Sequence, residues 1–199
     1  MNWIGLLEKA FYEFHRRRDL ASFLRGGLGE TTGAHVLDFG GGAGNVSVAL
    51  ASSGPETFVV ADPSLDALRR GPSTPRVLRV RIQPTPALPF PDELFRAVIV
   101  VDALHHVPDA IPAMVECGRC LQPGGSLHIV EFDGRARLTH IFGWLVRRQG
   151  RSCRFWVAEN LVAALRKAGF EAETTRVDGL RYAVRAIKPV RAVDRKAQT

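Results

Sequence analysis

The chain has 199 residues, of which 46% are hydrophobic and 24% are charged. This length and composition predict one soluble globular domain, residues 1–199, with a sizeable core. No apolar stretch is long enough to cross a bilayer, and the N-terminal residues lack the charge order and cleavage site of a secretory signal, so we expect a cytoplasmic protein.

The net charge is +7 and the sequence pI is about 10.0. A surplus of positive charge is typical of proteins that bind nucleic acids or other anionic partners. No nucleic-acid-binding motif accompanies it, so nucleic acid stays an alternative partner that is not favoured. Cys117 and Cys120 form a CGRC pair, but a structural zinc needs four ligands and no second pair exists. We therefore expect no metal site.

Helical and extended segments alternate along the chain. Residues 3–25 have apolar positions near helical spacing, and we expect one or two amphipathic helices there, ended by Gly26, Gly27 and Gly29. Five apolar segments follow with the length and composition of strands. Continuously apolar strands suit a parallel sheet that is covered on both faces. The expected strands are residues 35–39, 57–61, 76–82, 97–101 and 126–132.

Helices are expected between these strands, and a pair of strands at the end. The predicted helices are residues 45–52, residues 64–70 with Ser64 as cap, residues 109–121 closed by Pro123-Gly124-Gly125, and residues 158–168. The last strands, 170–177 and 180–187, are joined by Asp178-Gly179, a hairpin signal. This order predicts an α/β fold: a doubly wound, mostly parallel seven-stranded sheet with an antiparallel terminal hairpin and helices on both faces.

Three segments interrupt the alternation. Residues 1–30 are predicted to form an N-terminal helical lid. Residues 133–157 carry apolar side chains beside many arginines, which predicts an inserted helix able to cover a pocket at the carboxyl edge of the sheet. Residues 189–199 are polar and are expected to form a loose tail.

The stretch VLDFGGGAG, residues 36–44, places glycines directly after the first strand. Glycine weakens strands and helices, so this cluster indicates a turn under tight steric demand. Gly40, Gly42 and Gly44 follow the pattern GxGxG, and the next strand ends in Asp62. Ligands of doubly wound sheets bind at the carboxyl ends of the strands, where an acid can accept hydrogen bonds from ribose hydroxyls. The pattern therefore predicts a nucleoside-containing cofactor.

Two other nucleotide-binding patterns are absent. The GxGxxG pattern of nicotinamide dehydrogenases would need its third glycine at Asn45 or at Ser47. No GKS or GKT occurs, which excludes a P-loop. A nicotinamide oxidoreductase is therefore disfavoured.

Four motifs, in order and spacing, resemble those of class I S-adenosylmethionine-dependent methyltransferases. The resemblance covers about residues 34–132 and extends more loosely to 187. The motifs are VLDFGGGAG, VVADPSLDAL, LPFPDELFRAVIVVDALHHVPD and LQPGGSLHIVEF. The third is similar to the subgroup that contains ubiquinone and menaquinone biosynthesis methyltransferases. The resemblance implies S-adenosyl-L-methionine as cofactor, S-adenosyl-L-homocysteine as product, and direct in-line transfer of the methyl group to a small-molecule acceptor.

The resemblance also implies roles for residues of the glycine loop. Gly40, Gly42 and Gly44 would let the backbone approach the methionine part of the cofactor. The amide groups that begin the following helix could meet its carboxylate. Asp38 would orient the loop or accept a hydrogen bond from the cofactor amino group.

Other positions would contact the nucleoside. Asp62 would hold the ribose, Pro63 would lie near the adenine, and Asp102 would border the methyl-donor end. Family members commonly carry an acid after the third strand that binds the adenine amino group. Here that position is Pro84, and Gln83 or a backbone carbonyl is expected to substitute.

A methyl acceptor with a hydroxyl or an acidic carbon also needs a base. His105 and His106 follow the fourth strand and are the first candidates for proton transfer. A structural interpretation competes with this one, because a histidine pair at this position often packs against or caps the following helix. Further candidates are Tyr12, His15, Glu131 and His140.

Two other functions stay open. The positive charge suggests an RNA or protein methyltransferase, although the motifs of base-modifying enzymes are absent. Pro84 suggests a non-catalytic relative that keeps the fold as a binding or scaffold protein. The sequence does not identify the methyl acceptor or the oligomeric state.

Overall fold

A computed structural model describes residues 18–28, 33–54, 56–84, 87–148, 152–177 and 179–190. Seven strands in this part of the chain form one sheet. They are β1 His35–Phe39, β2 Thr57–Asp62, β3 Val77–Arg81, β4 Phe95–Val101, β5 Leu121–Phe132, β6 Glu171–Arg176 and β7 Arg181–Ile187. Their order is β3-β2-β1-β4-β5-β7-β6. The first five strands are parallel and β7 is antiparallel to both of its neighbours, so the predicted fold class is confirmed.

Six α-helices in the described ranges connect these strands. They are α1 Arg18–Leu28, α2 Asn45–Ala51, α3 Leu65–Arg69, α4 Ala110–Cys120, α5 Arg137–Arg148 and α6 Ala158–Lys167, together with a 3₁₀ turn at Leu104–His106. Ser64 caps α3 as predicted, since its hydroxyl accepts a hydrogen bond from the Ala67 amide at 3.2 Å. Helix α5 confirms that residues 133–157 contain a helix.

Apolar side chains alternate between two cores, one on each face of the sheet. Val36 and Ile99 pack in the core that also contains side chains of α1 and α2. Leu37 and Val98, one residue away in each strand, pack in the core that contains side chains of α4 and α6. Successive strand residues point to opposite faces, so strands that are apolar throughout serve both cores at once.

Strand β5 begins five residues before its predicted start. Pro123-Gly124-Gly125 does not close a helix; it is part of the strand, which pairs with β4 through a register shift between Phe95 and Ala97. The Gly124 amide donates to the Lys188 carbonyl at 2.9 Å, and the Lys188 amide donates to the Gly125 carbonyl at 2.9 Å. These bonds extend the ladder beyond the end of β7 and explain why the segment is extended.

Helix α1 continues through Gly26 and Gly27 to Leu28, where the sequence predicts an end. Gly27 lies against the His128 ring: a Cβ at position 27 would be 3.2 Å from its Cε1 and Nδ1. Glycine at this position therefore allows a close approach of helix to sheet rather than a stop. The other residues predicted as helix, 3–17, lie outside the described residues, as do Gly29 and residues 191–199 of the tail.

None of the described helices is both long and apolar enough to cross a lipid bilayer.

Candidate active site

A cavity of about 430 Å³ opens at the carboxyl ends of the parallel strands, on the side of β1, β2 and β4. This volume lies within the usual range for small-molecule sites. Five of the predicted cofactor-binding residues line it, namely Gly40, Asp62, Pro63, Gln83 and Asp102, and so does His106. The cavity is therefore at the position that the glycine loop and the acid at the end of β2 predict.

The glycine loop needs glycine at three positions. Gly40, Gly42 and Gly44 have φ of 72°, 56° and 73°, a region that residues with a Cβ rarely adopt. Space is also limiting at two of them. A Cβ at Gly40 would be 2.7 Å from the Ala103 Cβ, and a Cβ at Gly44 would be 2.9 Å from Val60. The close approach to Ala103, which also lines the cavity, is a contact that the sequence motif did not reveal.

Asp62 lies on the wall of the cavity and is held there by backbone donors. Its Oδ2 accepts a hydrogen bond from the Gly42 amide at 2.9 Å, and its Oδ1 accepts one from the Ser64 amide at 2.8 Å. Each carboxylate oxygen can accept a second hydrogen bond. The Asp62 carboxylate is therefore oriented by the loop and remains able to accept from a hydroxyl in the cavity.

Asp38 lies beneath the loop and does not line the cavity. Its Oδ2 accepts a hydrogen bond from the Ser47 hydroxyl at 2.5 Å, and a Cβ at Gly41 would be 2.4 Å from its Cγ. Burial raises the pKa of Asp38 to about 6, opposed by the Ser47 hydrogen bond and reinforced by the Asp62 charge. Of the two roles expected for Asp38, this position favours orientation of the loop.

Gln83 and Pro84 follow β3 and line the cavity on the side of Asp62. Pro63 also lines it, and its carbonyl accepts a hydrogen bond from Arg81 Nε at 3.4 Å. The position where family members commonly carry an acid is thus inside the site, and the polar side chain of Gln83, the residue before it, also lines the cavity.

Asp102 directly follows β4 and is in the left-handed region, with φ of 48°. Its amide donates to the Val130 carbonyl at 2.9 Å, and its Oδ2 lies 4.0 Å from Arg181 Nη1. A non-glycine residue at positive φ is uncommon, and such positions cluster at functional sites. The turn places Asp102 and Ala103 on the wall of the cavity.

The two candidate histidines have different surroundings. His106 is half-buried, lines the cavity, and places Nδ1 3.2 Å from the Ser152 carbonyl. His105 is fully buried and does not line the cavity. Of the two candidates for proton transfer, His105 is therefore not placed to act on a ligand in this cavity, because the 3₁₀ turn directs consecutive side chains to different sides.

His105 is held by Glu131 and Phe155. Its Nδ1 lies 2.9 Å from Glu131 Oε1, and its amide donates to Glu131 Oε2 at 3.1 Å. The Phe155 ring stacks on the His105 ring with 4.6 Å between centroids. Glu131, itself fully buried, thus serves as the partner of His105 and does not face the cavity.

The remaining candidates lie apart from the site or outside the described residues. His140 is exposed on α5, and Tyr12 and His15 fall in residues that the structure does not describe. In the described ranges no group of three or more His, Cys, Asp or Glu side chains could hold a metal ion. Cys117 is buried against the sheet, and burial raises the pKa of its thiol.

A second cavity, of about 420 Å³, lies between α1 and strands β5, β6 and β7. His128 lines it and places Nε2 2.8 Å from the Ser126 hydroxyl. Burial lowers the pKa of His128 to about 4, and the Arg185 charge adds to the effect. This cavity lacks a glycine loop and an acid at a strand end, so it does not compete with the first as the cofactor site.

Comparison with known proteins identifies the class of this fold and site. A family model described as "Methyltransferase domain" matches residues 8–175. The ubiquinone/menaquinone biosynthesis C-methyltransferase UbiE of Geobacter sulfurreducens is 30% identical over 116 residues, 53% of this chain and 45% of the relative. The demethylmenaquinone methyltransferase of Mycolicibacterium paratuberculosis is 38% identical over 109 residues, 55% of this chain and 46% of the relative. The chain spans about half the length of these curated relatives.

A solved structure shares the fold. Phosphoethanolamine N-methyltransferase 2 of Haemonchus contortus, in complex with S-adenosyl-L-methionine, has a TM-score of 0.73 at 17% identity, over 86% of this chain and 53% of that one. This likeness shows the fold alone. The family match covers most of the sequence, so the chain belongs to the methyltransferase domain family, in the class I S-adenosylmethionine-dependent group. The resemblance drawn from the four motifs is confirmed for family, fold and cofactor class.

Proposed function

We propose that the protein binds S-adenosyl-L-methionine beside the glycine loop and catalyses transfer of its methyl group to a small aromatic acceptor of the quinol type. The observation that carries the proposal is the Asp62 carboxylate. Two backbone amides orient it on the wall of the cavity, beside a loop whose glycines leave room for a ligand. An acid at the end of β2 is the group that holds ribose hydroxyls in nucleoside-binding sheets of this type.

The residues of the cavity fit the donor. Asp62 would accept hydrogen bonds from the ribose hydroxyls, and the backbone of Gly40 and Gly42 would lie against the methionine part. Gln83 would take the adenine end in place of the acid common in the family. The sulfonium supplies an already activated methyl group, so the protein has to bind and align the two substrates and exclude water.

His106 is the residue that the geometry favours as a base. A carbonyl oxygen only accepts hydrogen bonds, so Nδ1 at 3.2 Å from the Ser152 carbonyl carries the proton. This tautomer leaves Nε2 as the acceptor nitrogen, which is the form that a general base needs. His106 would remove the proton that the acceptor loses when the new bond to the methyl carbon forms.

The acceptor class rests on the relatives and on the cavity wall. The relatives are named for methylation in ubiquinone and menaquinone biosynthesis and of demethylmenaquinone. Apolar side chains of Phe39, Ile82 and Val107 line the cavity here. An apolar wall suits a planar aromatic acceptor better than a strongly charged one.

Calorimetry with S-adenosyl-L-homocysteine tests the binding half of the proposal. Asp62→Asn should weaken binding at least about tenfold, because hydrogen bonds to a charged group contribute about 1.5–3 kcal/mol. Asp66→Asn is the matched control, since Asp66 lies on the same connection, is exposed and does not line the cavity. No binding by the unmodified protein at millimolar ligand would favour the scaffold alternative instead.

Transfer of a labelled methyl group tests the acceptor. A naphthoquinol or phenolic acceptor should become labelled, and His106→Ala should lower kcat more than it raises KM for the donor. Label incorporated into RNA or protein, and none into aromatic acceptors, would establish the alternative that the positive charge suggests. Three expectations from the sequence stay predictions. They are the cytoplasmic location, the lid and cover roles of residues 1–30 and 133–157, and the loose tail.

A further inference from the structure

Helix α5 exposes large apolar side chains on one face. Leu138, Ile141 and Trp144 are 53%, 58% and 50% exposed, and they are three of the seven exposed large hydrophobic residues in the described ranges. On the opposite face Gly143 and Val146 are buried against the protein. The helix is therefore attached through one side and presents an apolar strip, which we call the α5 strip and define as Leu138, Ile141 and Trp144, on the other.

Cationic side chains stand at both ends of the α5 strip. The helix, RLTHIFGWLVRR, begins at Arg137, ends at Arg147 and Arg148, and contains no acid. The Arg148 guanidinium lies over the Trp144 ring, 4.4 Å from its centroid, so this cation is part of the exposed face. Arg147 turns back to the protein and donates to the Cys153 carbonyl at 3.0 Å.

We propose that α5 docks on the surface of an anionic lipid bilayer. Leu138, Ile141 and Trp144 would enter the boundary between head groups and acyl chains, and Arg137 and Arg148 would bind lipid phosphates. A helix with a cationic polar face, a separate apolar face and an exposed Trp is the form that lies in the plane of a membrane surface. The proposal concerns binding only and does not depend on methyl transfer.

Two other occupants fit the surface less well. A nucleic acid would use the arginines, but such interfaces are polar and leave Leu138 and Ile141 without a role. A second copy of the chain would place two helices of the same positive charge against each other. An anionic bilayer satisfies the apolar and the cationic groups together.

The helix reaches the candidate active site through a short series of aromatic contacts. Phe142 of α5 lies 6.2 Å from Phe155, and Phe155 stacks on His105. The ring of His105 is 4.1 Å from that of His106, which lines the cavity. These contacts connect α5 to the wall of the donor cavity through the protein interior.

Vesicle co-sedimentation of the full chain tests the proposal. The protein should bind vesicles of phosphatidylcholine and phosphatidylglycerol, and Ile141→Ser with Trp144→Ser should weaken binding at least about tenfold, since each exposed apolar side chain contributes on burial. Leu78→Ser with Val115→Ser is the matched control, because these side chains are equally exposed but lie elsewhere, and it should leave binding unchanged. Thermal unfolding of all variants checks that they are folded.

A second pair of variants separates the electrostatic part. Arg137→Gln with Arg148→Gln should reduce binding to anionic vesicles, and added salt should do the same. Equal binding to pure phosphatidylcholine vesicles, or binding unaffected by the Ile141 and Trp144 changes, would overturn the proposal. Two other results would also overturn it. The first is RNA binding, without vesicle binding, that the Arg137 and Arg148 variant loses and the Ile141 and Trp144 variant keeps. The second is a dimer that forms without vesicles and that the Ile141 and Trp144 variant does not form.

Discussion

The Gly42 amide donates a hydrogen bond to the Asp62 carboxylate at 2.9 Å and so joins the loop after the first strand to the end of the second. Gly42 can present its amide in this way because its φ of 56° is accessible to glycine. The carboxylate is positioned by neutral donors, and no cation lies among the hydrogen-bond partners described for it. The site thus keeps a charged acceptor ready for a ligand.

Alanine at Gly40 should disrupt this arrangement. Its Cβ would be 2.7 Å from the Ala103 Cβ at a φ of 72°, and overpacking together with backbone strain should lower the free energy of unfolding by about 2–4 kcal/mol. Urea unfolding measures the loss, and calorimetry should show weaker S-adenosyl-L-homocysteine binding. Ala103→Gly added to Gly40→Ala should restore part of the stability, because it removes the clash but leaves the strain.

Gly26→Ala is the control for this prediction. Gly26 lies inside α1 and a Cβ there would meet nothing within 4 Å, so alanine should raise stability by up to about 1 kcal/mol. Equal effects of the two alanine substitutions would show that the Gly40–Ala103 approach does not limit the loop.

Substitution of His105 should lower stability more than substitution of His106. His105→Ala removes a fully buried ring and leaves Glu131 with less hydrogen bonding, so it should cost about 3–5 kcal/mol in unfolding free energy. His106→Ala removes a half-buried side chain at the cavity and should cost less than about 1.5 kcal/mol. Differential scanning calorimetry ranks the two.

Among folded variants, substitution of His106 should affect methyl transfer more than substitution of His105. His106→Ala should remove the limb of the pH–rate profile that reports the base, whereas His105→Gln should keep that limb. A profile in which both variants keep the limb would mean that the acceptor loses its proton to another group.

The position of the candidate site was predictable because local sequence determines it. Apolar runs define the parallel strands, the glycine cluster marks the turn after β1, and Asp62 ends the next strand. The ligand edge of such a sheet then follows from topology. Asp38 was predictable only as a member of the loop, since its burial beneath Gly41 depends on Ser47 in the next helix.

The features that the sequence did not predict depend on contacts between residues distant in sequence. His105 turns inward because Glu131, on the adjacent strand, and Phe155, after α5, receive it. Gly27 lies within helix α1, at a position where the His128 ring fills the space that a side chain would need. Neither partner is visible in the local pattern of the segment, so the local sequence does not reveal the role of Gly27 or of His105.

Asp38 should make stability fall as pH rises. In the folded protein the Asp38 carboxyl has a pKa of about 6, above the ordinary value of 3.8. Between pH 3.8 and about pH 6 the folded state therefore binds more protons than the unfolded state. Relative to the unmodified protein, Asp38→Asn should gain about 3 kcal/mol between about pH 4 and about pH 7. Urea unfolding at a series of pH values measures this difference.

Ser47→Ala is the second arm of that experiment. The Ser47 hydroxyl donates to the charged carboxylate and lowers its pKa, so its removal should extend the fall in stability to higher pH. A difference between Asp38→Asn and the unmodified protein that does not change with pH would contradict the prediction.

His128 should make stability rise as pH rises, over almost the same pH range in which Asp38 makes it fall. Burial first, and then Arg185, lower its pKa to about 4 from 6.5, so between these values the unfolded state binds more protons. The His128 contribution to stability is complete above about pH 6.5 and is lost as pH falls to about 4, by about 3 kcal/mol. His128→Gln keeps a partner for the Ser126 hydroxyl and should remove this loss.

Because the Asp38 and His128 contributions have opposite slopes, they largely cancel in the unmodified protein between about pH 4 and about pH 6. His128→Gln should therefore expose the fall with rising pH that Asp38 causes, and Asp38→Asn should expose the rise that His128 causes. The two residues lie on the same face of the sheet with Ile99 between them in register, and neither is among the groups that shift the pKa of the other, so the double variant should be nearly independent of pH in this range if their effects add. Parallel curves for all four proteins would show that neither group titrates as its burial requires.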